Sequence, residues 1–271
     1  NVYAGGRSEE LLGEFMDGRR DDFVVTTKCG FPLGEGPRNH KGLSRRHMIA
    51  SVEASLKRLR TDYIDVFFTH FLDPEVPIES IMRTMHELVQ SGKIRYIGVS
   101  NWSAWQIMKG LGISDRQGWH RIACVEPMYS LVKRQAEVEI FPLVESEQLG
   151  VISYSPLGGG LLTGKYAGTQ AAEEGRLNRN DMYKRRYAAD WMYETAAGLK
   201  ELAAELGESP VSLAVAWAMR HPAVTAPIIG ARNLQQLEPA LGAGSLEMDD
   251  ALYERITELS VKPASATDRN P

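Results

Sequence analysis

The pattern that most limits the fold is the recurrence of short apolar runs, each followed by a longer stretch with helical periodicity. The runs are rich in β-branched and aromatic residues, which favour buried strands. Six such runs occur, at residues 23–29, 63–70, 94–100, 122–127, 150–155 and 224–230. This alternation is typical of repeated βα units built around a parallel sheet.

Amphipathic segments fill the intervals between the runs and predict helices. Ser44 is the expected N-cap of the segment at 44–59, and Pro210 occupies the first helical position of the segment that starts at Ser209. The predicted helices are 8–16, 44–59, 78–91, 104–109, 135–148, 187–206, 209–220, 233–241 and 249–259.

Repeated βα units fit either an open doubly wound sheet or a (β/α)8 barrel. No run is followed by the Gly-x-Gly-x-x-Gly fingerprint of dinucleotide-binding open sheets. The segment 158–166 approaches a phosphate-binding P-loop, but Tyr166 stands where Ser or Thr must bind magnesium. The sequence therefore favours a single barrel domain over residues 1–271, although a length of 271 residues alone would also fit two small domains.

The strand count falls short of a full barrel. About six units are recognisable, and two more would need roughly 60 residues. Because residues 8–16 resemble a helix that awaits a preceding strand, we expect an N-terminal portion beyond this sequence. The stretch 168–190 is predicted to be either a lid or a solvated loop.

Composition excludes several classes of protein. A formal net charge of −4 and a pI near 5.9 give no electrostatic footprint for nucleic acid. Cys29 and Cys124 form neither a disulfide scaffold nor a zinc pattern, which favours a reduced, cytoplasmic setting without a metal. No apolar run is long enough to cross a membrane, so we expect no membrane partner.

Polar residues follow the strand-like runs at the ends where barrels gather their reacting groups. Lys28 could be an ordinary strand-end lysine that reaches water, and His70 could be a hydrogen-bonded core histidine. Their occurrence together favours a site. The other histidines, His40, His47, His86, His120 and His221, are expected at the surface. The convergent set is Lys28, His70, Ser100, Asn101, Glu126, Tyr154, Ser155, Gly230 and Arg232.

Ordered motifs along nearly the whole chain resemble the aldo-keto reductase family. They are Tyr3-Ala4-Gly5-Gly6-Arg7-Ser8-Glu9 through Gly13, Lys28, Tyr63-Ile64-Asp65 leading to His70, Gly98-Val99-Ser100-Asn101, Tyr154-Ser155-Pro156-Leu157 running to Gly164-Lys165-Tyr166, and Ile229-Gly230-Ala231-Arg232 with Gln236. The resemblance implies a (β/α)8 barrel that transfers hydride from NADPH to an aldehyde or ketone, reversibly.

The resemblance also implies roles for individual residues. Tyr3 would be the general acid, Lys28 would favour its ionisation, and His70 would orient the substrate carbonyl. The implied cofactor contacts are Ser100, Asn101 and Glu126 at the nicotinamide carboxamide, Tyr154 stacked on the nicotinamide ring, Ser155, Leu157, Gly159 and Lys165 at the pyrophosphate, and Gly230, Arg232 and Gln236 at the adenosine end.

The sequence departs from the family pattern at several positions. The aspartate that pairs with the lysine would precede the first residue given. Ala4 replaces a glycine, Glu126 stands where glutamine is usual, and Pro239 and Ala240 replace a Glu-Asn pair at the adenine. A carboxylate at 126 can accept from the carboxamide N–H but cannot donate to its oxygen.

Two other functions remain open at this stage. One is a cofactor-binding regulatory subunit like potassium-channel β-subunits, which resemble the same family. The other is an aldolase or lyase that uses Lys28 as a Schiff base. The pocket is expected to be apolar and aromatic, but the sequence does not predict the substrate or the oligomeric state.

Overall fold

The computed structural model describes residues 2–32, 40–166 and 176–267. The chain divides into two compact units, Asn1–Glu126 and Pro127–Pro271. The prediction of a single domain over residues 1–271 stays a prediction. Part of the predicted lid, residues 168–175, lies outside the described residues.

The first unit alternates strands and helices. Its elements are a 3-10 turn at Tyr3–Gly6, α1 at Arg7–Phe15, a 3-10 turn at Arg20–Asp22, β1 at Thr26–Cys29, α2 at Arg45–Leu59, β2 at Ile64–Thr69, α3 at Ile78–Gln90, β3 at Ile94–Ser100, α4 at Ala104–Gln117 and β4 at Ile122–Glu126. The four strands pair in sequence order and all pairs are parallel. Parallel neighbours place their carboxyl ends at one edge of the sheet.

The second unit holds two parallel strands and most of the remaining helices. Its elements are a 3-10 turn at Gln135–Glu137, α5 at Ile140–Glu147, β5 at Gly150–Ser153, a 3-10 segment at Gly158–Thr163, α6 at Arg176–Arg179, α7 at Asp181–Arg186, α8 at Asp190–Leu206, α9 at Pro210–Arg220, β6 at Ala226–Pro227, α10 at Leu234–Gly242, a 3-10 turn at Ala243–Ser245 and α11 at Asp250–Glu258. Strands β5 and β6 pair in parallel.

Six strands therefore occur within the described residues, as predicted, but five of them are shorter than predicted and only β3 keeps its predicted bounds. The largest differences are at β1 and β6. The chain joins β1 only at Thr26, because the Val25 N–H donates to the Asp65 carboxylate at 2.8 Å and Val24 is exposed. Strand β6 contains only Ala226 and Pro227, and Pro227 has no N–H to donate to a ladder.

The helix predicted at 104–109 is more than twice as long as expected. It continues past Gly110 and Gly112 to Gln117 and ends at Gly118, whose φ is +64°. Gly110 has a packing reason, since a Cβ there would lie 3.0 Å from Ile122 Cδ1.

Two further helix predictions need correction. The segment 187–206 is helical only from Asp190, and the segment 135–148 divides into a 3-10 turn and α5.

The surface assignment of the histidines is wrong for His47, which is buried in α2 with Nε2 3.3 Å from Ser51 Oγ.

Gly13 marks a close approach between α1 and α2. A Cβ at this position would lie 2.6 Å from the main-chain oxygen of Arg58 and 2.7 Å from the carbonyl carbon of Leu59. Backbone atoms cannot rotate away as a side chain can. Gly13 is therefore the residue that lets α1 pack against the end of α2.

We expect Gly13→Ala to lower the free energy of unfolding by about 1–3 kcal/mol, because the added methyl group forces the two helices apart. Denaturant unfolding measures this loss. The matched control is Gly112→Ala in α4, where the nearest atom to a new Cβ is Arg116 Nη1 at 3.9 Å. That variant should gain up to about 1 kcal/mol from helix propensity. Equal effects of the two variants would contradict the packing argument.

Candidate active site

Lys28 lies near the end of β1 and is buried. Its register partner on β2 is Phe68, whose ring centroid lies 5.5 Å from Lys28 Nζ. The same ammonium lies 5.5 Å from the ring centroid of Tyr3. Lys28 is only 5% exposed and does not extend into water as a surface lysine usually does.

Tyr3 opens the 3-10 turn that precedes α1, and its side chain is half-exposed. The turn holds a run of left-handed residues, with φ of +49° at Ala4, +63° at Gly5 and +96° at Gly6. Ala4 therefore adopts a conformation that suits glycine, at a cost of about 1–2 kcal/mol. Because this run directly follows Tyr3, it sets the direction in which the chain leaves the tyrosine and enters α1.

His70 follows β2 and lies between the rings of two neighbours. Its ring centroid is 5.9 Å from that of Tyr3 and 4.7 Å from that of Phe31. Its main-chain N–H donates to the Cys29 oxygen at 2.9 Å, which fixes its position next to β1. Nδ1 is buried and has no hydrogen-bond partner among the described residues.

Burial, with a contribution from the positive charge of Lys28, lowers the pKa of His70 to about 4. A neutral imidazole donates one hydrogen bond and carries no charge that would repel Lys28. At neutral pH His70 can therefore orient an oxygen atom by a hydrogen bond while it remains uncharged.

We expect the ring signals of His70 to titrate with a midpoint near pH 4 in a proton NMR experiment, because the charged form is disfavoured in the folded protein. The pKa is lower in the folded than in the unfolded chain, so the unfolded chain binds the proton first. The contribution of neutral His70 to the free energy of unfolding should therefore be lost as the pH falls from about 6.5 to about 4. The ring signals that are missing from the spectrum of His70→Gln are those of His70. A midpoint near 6.5 in the folded protein would contradict the argument.

Ser100 ends β3, Asn101 follows it, and the two residues link the neighbouring strands. Asn101 Nδ2 donates to the His70 oxygen at 2.9 Å and to Ser100 Oγ at 3.1 Å. Ser100 Oγ in turn donates to the main-chain oxygen of Glu126 at 2.9 Å. Asn101 has a left-handed backbone, with φ of +57°. These bonds hold the ends of β2, β3 and β4 in one polar network.

Glu126 ends β4, and its carboxylate lies against the ammonium of Lys28. Glu126 Oε2 is 2.9 Å from Lys28 Nζ, and the two side chains are only 4% and 6% exposed. Burial raises the pKa of the Glu126 carboxyl, and the Lys28 ammonium opposes part of that rise. The sequence reasoning placed Glu126 at the cofactor and did not foresee this ion pair.

In the second unit, Tyr154 and Ser155 follow β5. Tyr154 forms a parallel bridge with Met128, and Ser155 has a left-handed backbone with φ of +60°. The Tyr187 hydroxyl shares a hydrogen bond with Ser155, and burial raises the pKa of Tyr187 to about 12. Tyr187 therefore stays neutral at physiological pH as part of the wall behind Ser155.

The glycine-rich segment after Leu157 is a tight 3-10 loop. Gly158, Gly159 and Gly160 have φ of +56°, +66° and +98°. A Cβ at Gly160 would lie 3.2 Å from Lys165 Nζ, so the ammonium rests directly against the glycine backbone. Successive left-handed glycines beside a cation form a cradle suited to an anion.

Aromatic rings close the other side of this loop and were not predicted as site residues. A Cβ at Gly159 would meet Tyr183 Cδ1 at 2.8 Å and Tyr187 Cε2 at 3.0 Å. Tyr183 belongs to α7, within the segment predicted as a lid or a solvated loop. The only sequence signal was the tyrosine content of that segment.

The last predicted residues lie at the start of α10. Asn233 caps this helix by accepting from Gln236 N at 3.0 Å, and the Arg232 N–H donates to Gln236 Oε1 at 3.2 Å. Gly230 and Arg232 are exposed. Leu157 and Ile229 pack against one hydrophobic cluster that includes Val215 and Ala240, so the loops carrying the predicted phosphate contacts share a support.

The structure thus brings the predicted residues together as two sets, one in each unit. The first unit holds a connected cluster formed by Tyr3, Lys28, His70, Ser100, Asn101 and Glu126.

Within the described ranges no group of three or more His, Cys, Asp or Glu side chains could hold a metal ion. None of the helices that could be examined is long and apolar enough to span a membrane.

Comparison with known proteins identifies the family of this chain. The sequence model of the Aldo/keto reductase family matches residues 1–261. A Bacillus subtilis protein named "Uncharacterized oxidoreductase YrpG" is 32% identical, over 98% of this chain and 83% of its own length. An Aspergillus parasiticus "Versiconal hemiacetal acetate reductase" is 32% identical, over 97% of this chain and 82% of its own.

A relative with a different printed role is also similar. An Arabidopsis thaliana "Probable voltage-gated potassium channel subunit beta" is 38% identical, over 89% of this chain and 75% of its own length. The family match confirms the predicted fold class, an α/β chain of the (β/α)8 barrel type, with six of its strands in the described residues. The chain is a member of the aldo/keto reductase family of oxidoreductases.

Proposed function

We propose that the protein reduces the carbonyl group of an aldehyde or ketone with NADPH as the hydride donor, and that the reaction is reversible. The observation that carries the proposal is the cluster of Tyr3, buried Lys28 and uncharged His70, with Lys28 Nζ 5.5 Å and the His70 ring 5.9 Å from the Tyr3 ring. A proton donor, a cation and a hydrogen-bond donor in this grouping suit the protonation of a carbonyl oxygen.

The residues of the second unit fit the phosphates of a nicotinamide cofactor. The cradle at Gly158, Gly159 and Gly160 would be filled by any Cβ and has the Lys165 ammonium against it. Arg232, which lies just before α10, supplies an exposed guanidinium. Such a fork matches a phosphate better than a lysine does.

Five residues of the first cluster would take part in the reaction. When bound, NADPH would supply the hydride. Tyr3 would give its hydroxyl proton to the carbonyl oxygen, and His70 would hold that oxygen by a hydrogen bond. The charge of Lys28 beside the tyrosine ring would stabilise the phenolate left behind, which makes the hydroxyl a better acid. Ser100 and Asn101 would face the nicotinamide carboxamide.

The same cluster weighs against a Schiff-base mechanism. A Schiff-base lysine attacks as a neutral amine, usually after desolvation or beside another cation. Lys28 instead has a carboxylate oxygen at 2.9 Å, which favours the charged ammonium. Trapping with borohydride in the presence of a carbonyl compound should therefore leave Lys28 unmodified.

The decisive experiment mixes the protein with NADPH and a panel of aldehydes and ketones and follows the loss of reduced nicotinamide. Turnover of any of them supports the reductase. Cofactor binding without turnover of any aldehyde or ketone in the panel would favour the regulatory-subunit alternative.

We further propose a cytoplasmic location, which the free, buried thiols of Cys29 and Cys124 support.

A further inference from the structure

The ion pair between the ends of β1 and β4 is the feature that the proposed reaction does not yet use. Two charged side chains, both almost fully buried, meet at 2.9 Å between Lys28 Nζ and Glu126 Oε2. Removing charges from water is costly, so such a pair persists only where its geometry is close. Apart from this ammonium, Glu126 Oε2 has no hydrogen-bond partner among the described residues.

The backbone around Glu126 fixes the direction of its side chain. Its main-chain oxygen accepts from Ser100 Oγ at 2.9 Å, and Ser100 is its register partner on β3. With the main chain held in this way, the side chain reaches the end of β1. Glu126 therefore touches the lysine that lies beside Tyr3.

Several titratable groups surround Lys28 and have to be considered together. Tyr3 and His70 face it from the turn before α1 and from the end of β2. Cys29 is next on β1, but burial raises the pKa of its thiol to about 12, so it stays neutral. Glu9 is occupied by Thr27 and Arg58, with Oε1 and Oε2 as the acceptors. Glu126 is thus a carboxylate that the described residues place in contact with the lysine.

We propose that Glu126 is a positioning residue that holds Lys28 beside Tyr3 and offsets part of its charge, and thereby sets the upper pH limit at which Tyr3 still carries its proton. The inference rests on the proposed function in that Tyr3 is taken as the proton donor. It gives Glu126 a role different from the cofactor contact expected from the family resemblance.

The direction of the effect follows from charge alone. Glu126, Lys28 and Tyr3 are neighbours in that order, with Glu126 Oε2 2.9 Å from Lys28 Nζ and Lys28 Nζ 5.5 Å from the Tyr3 ring centroid. A nearby negative charge favours the protonated forms of Lys28 and Tyr3, so its removal allows each of them to lose its proton at lower pH. Carbonyl reduction needs the protonated tyrosine. Removing the charge of Glu126 should therefore move the alkaline decline of reductase activity to lower pH.

The test is a pH profile of kcat/KM for Glu126→Gln and Glu126→Asp. We expect the alkaline limb to move to lower pH in Glu126→Gln, because the negative charge 2.9 Å from Lys28 Nζ is lost. Glu126→Asp keeps the negative charge but moves it farther from Lys28, because the side chain is shorter. Its alkaline limb should therefore lie between those of the unaltered protein and Glu126→Gln. Glu87→Gln is the control, because Glu87 pairs with Arg45 on another part of the unit.

A second measurement does not depend on turnover. Tyrosinate absorbance is titrated without cofactor, and the contribution of Tyr3 is isolated by subtracting the matching Tyr3→Phe protein. In the Glu126→Gln background the Tyr3 midpoint should fall by a similar amount. If no carbonyl compound is reduced but this midpoint falls, the proposed function fails and the role of Glu126 stands.

Other outcomes overturn the inference. An alkaline limb and a tyrosinate midpoint that both stay in place in Glu126→Gln would show that the carboxylate does not act on the Lys28 and Tyr3 pair. Tighter NADPH binding with an unmoved limb would return Glu126 to the nicotinamide carboxamide. If Glu126→Gln does not fold, the pH profile of Glu126→Asp is compared with that of the unaltered protein. An alkaline limb at the same pH in both proteins would count against the proposal.

Discussion

Tyr3→Phe should lower kcat for aldehyde reduction by about 100-fold to 10,000-fold, the range contributed by a positioned general acid. The change removes one hydroxyl group and keeps the ring. The ring contacts to Lys28 Nζ at 5.5 Å and to His70 at 5.9 Å therefore remain. Loss of rate with an intact ring isolates the proton donation from the packing.

Three measurements separate these effects. Steady-state kinetics give kcat, fluorescence titration gives the dissociation constant of NADPH, and thermal unfolding reports the fold. The expected pattern is a large fall in kcat with little change in the other two. The control is Tyr96→Phe, since Tyr96 is exposed on β3 and has no place in the cluster. Turnover at the unaltered rate in Tyr3→Phe would remove Tyr3 from the mechanism.

The sequence could predict the elements of this site because the relevant information is local. A strand-length apolar run that ends in a polar residue is visible along the chain, and the parallel arrangement then brings such ends to one edge. This reasoning correctly located Lys28, His70, Ser100 and Glu126 at or beside the ends of β1 to β4. Their roles as acid, cation and orienting group stay predictions.

What the sequence could not predict depends on contacts between distant positions. Lys28 and Glu126 are far apart in the chain, and no pattern shows that their side chains meet. The start of β1 is similar, because the Asp65 carboxylate accepts from both Val25 N and Arg20 Nη2 and so holds the chain outside the ladder. A side chain that accepts a hydrogen bond from a backbone N–H can move the first residue of a strand. The periodicity of apolar residues does not show such a contact.

Glycines illustrate the same division. Gly110 and Gly112 lie inside α4, although each glycine in a helix interior costs about 1 kcal/mol relative to alanine. Gly118 ends the helix with a left-handed backbone, as glycine commonly does just after the last helical turn. The presence of a glycine alone does not distinguish a position that the helix passes through from the position that ends it.

Loss of the Arg232 guanidinium should weaken NADPH binding by about 10-fold to 150-fold, equivalent to roughly 1.5–3 kcal/mol for a charged hydrogen bond. The proposed partner is the 2′-phosphate, which distinguishes NADPH from NADH. Arg232→Met keeps much of the length of the side chain and removes the charge. NADH lacks the phosphate, so its dissociation constant should change much less.

The structure supplies the reason to expect selectivity and a suitable control. Arg232 is exposed just before α10, and its main-chain N–H donates to Gln236 Oε1 at 3.2 Å. Its side chain can therefore be replaced without loss of the helix cap at Asn233. Arg255→Met is the matched control, because that arginine contacts Glu205 at 3.0 Å on α8. Dissociation constants for both cofactors decide the matter: equal weakening of NADPH and NADH would make Arg232 a structural residue, whereas selective weakening of NADPH assigns it to the 2′-phosphate.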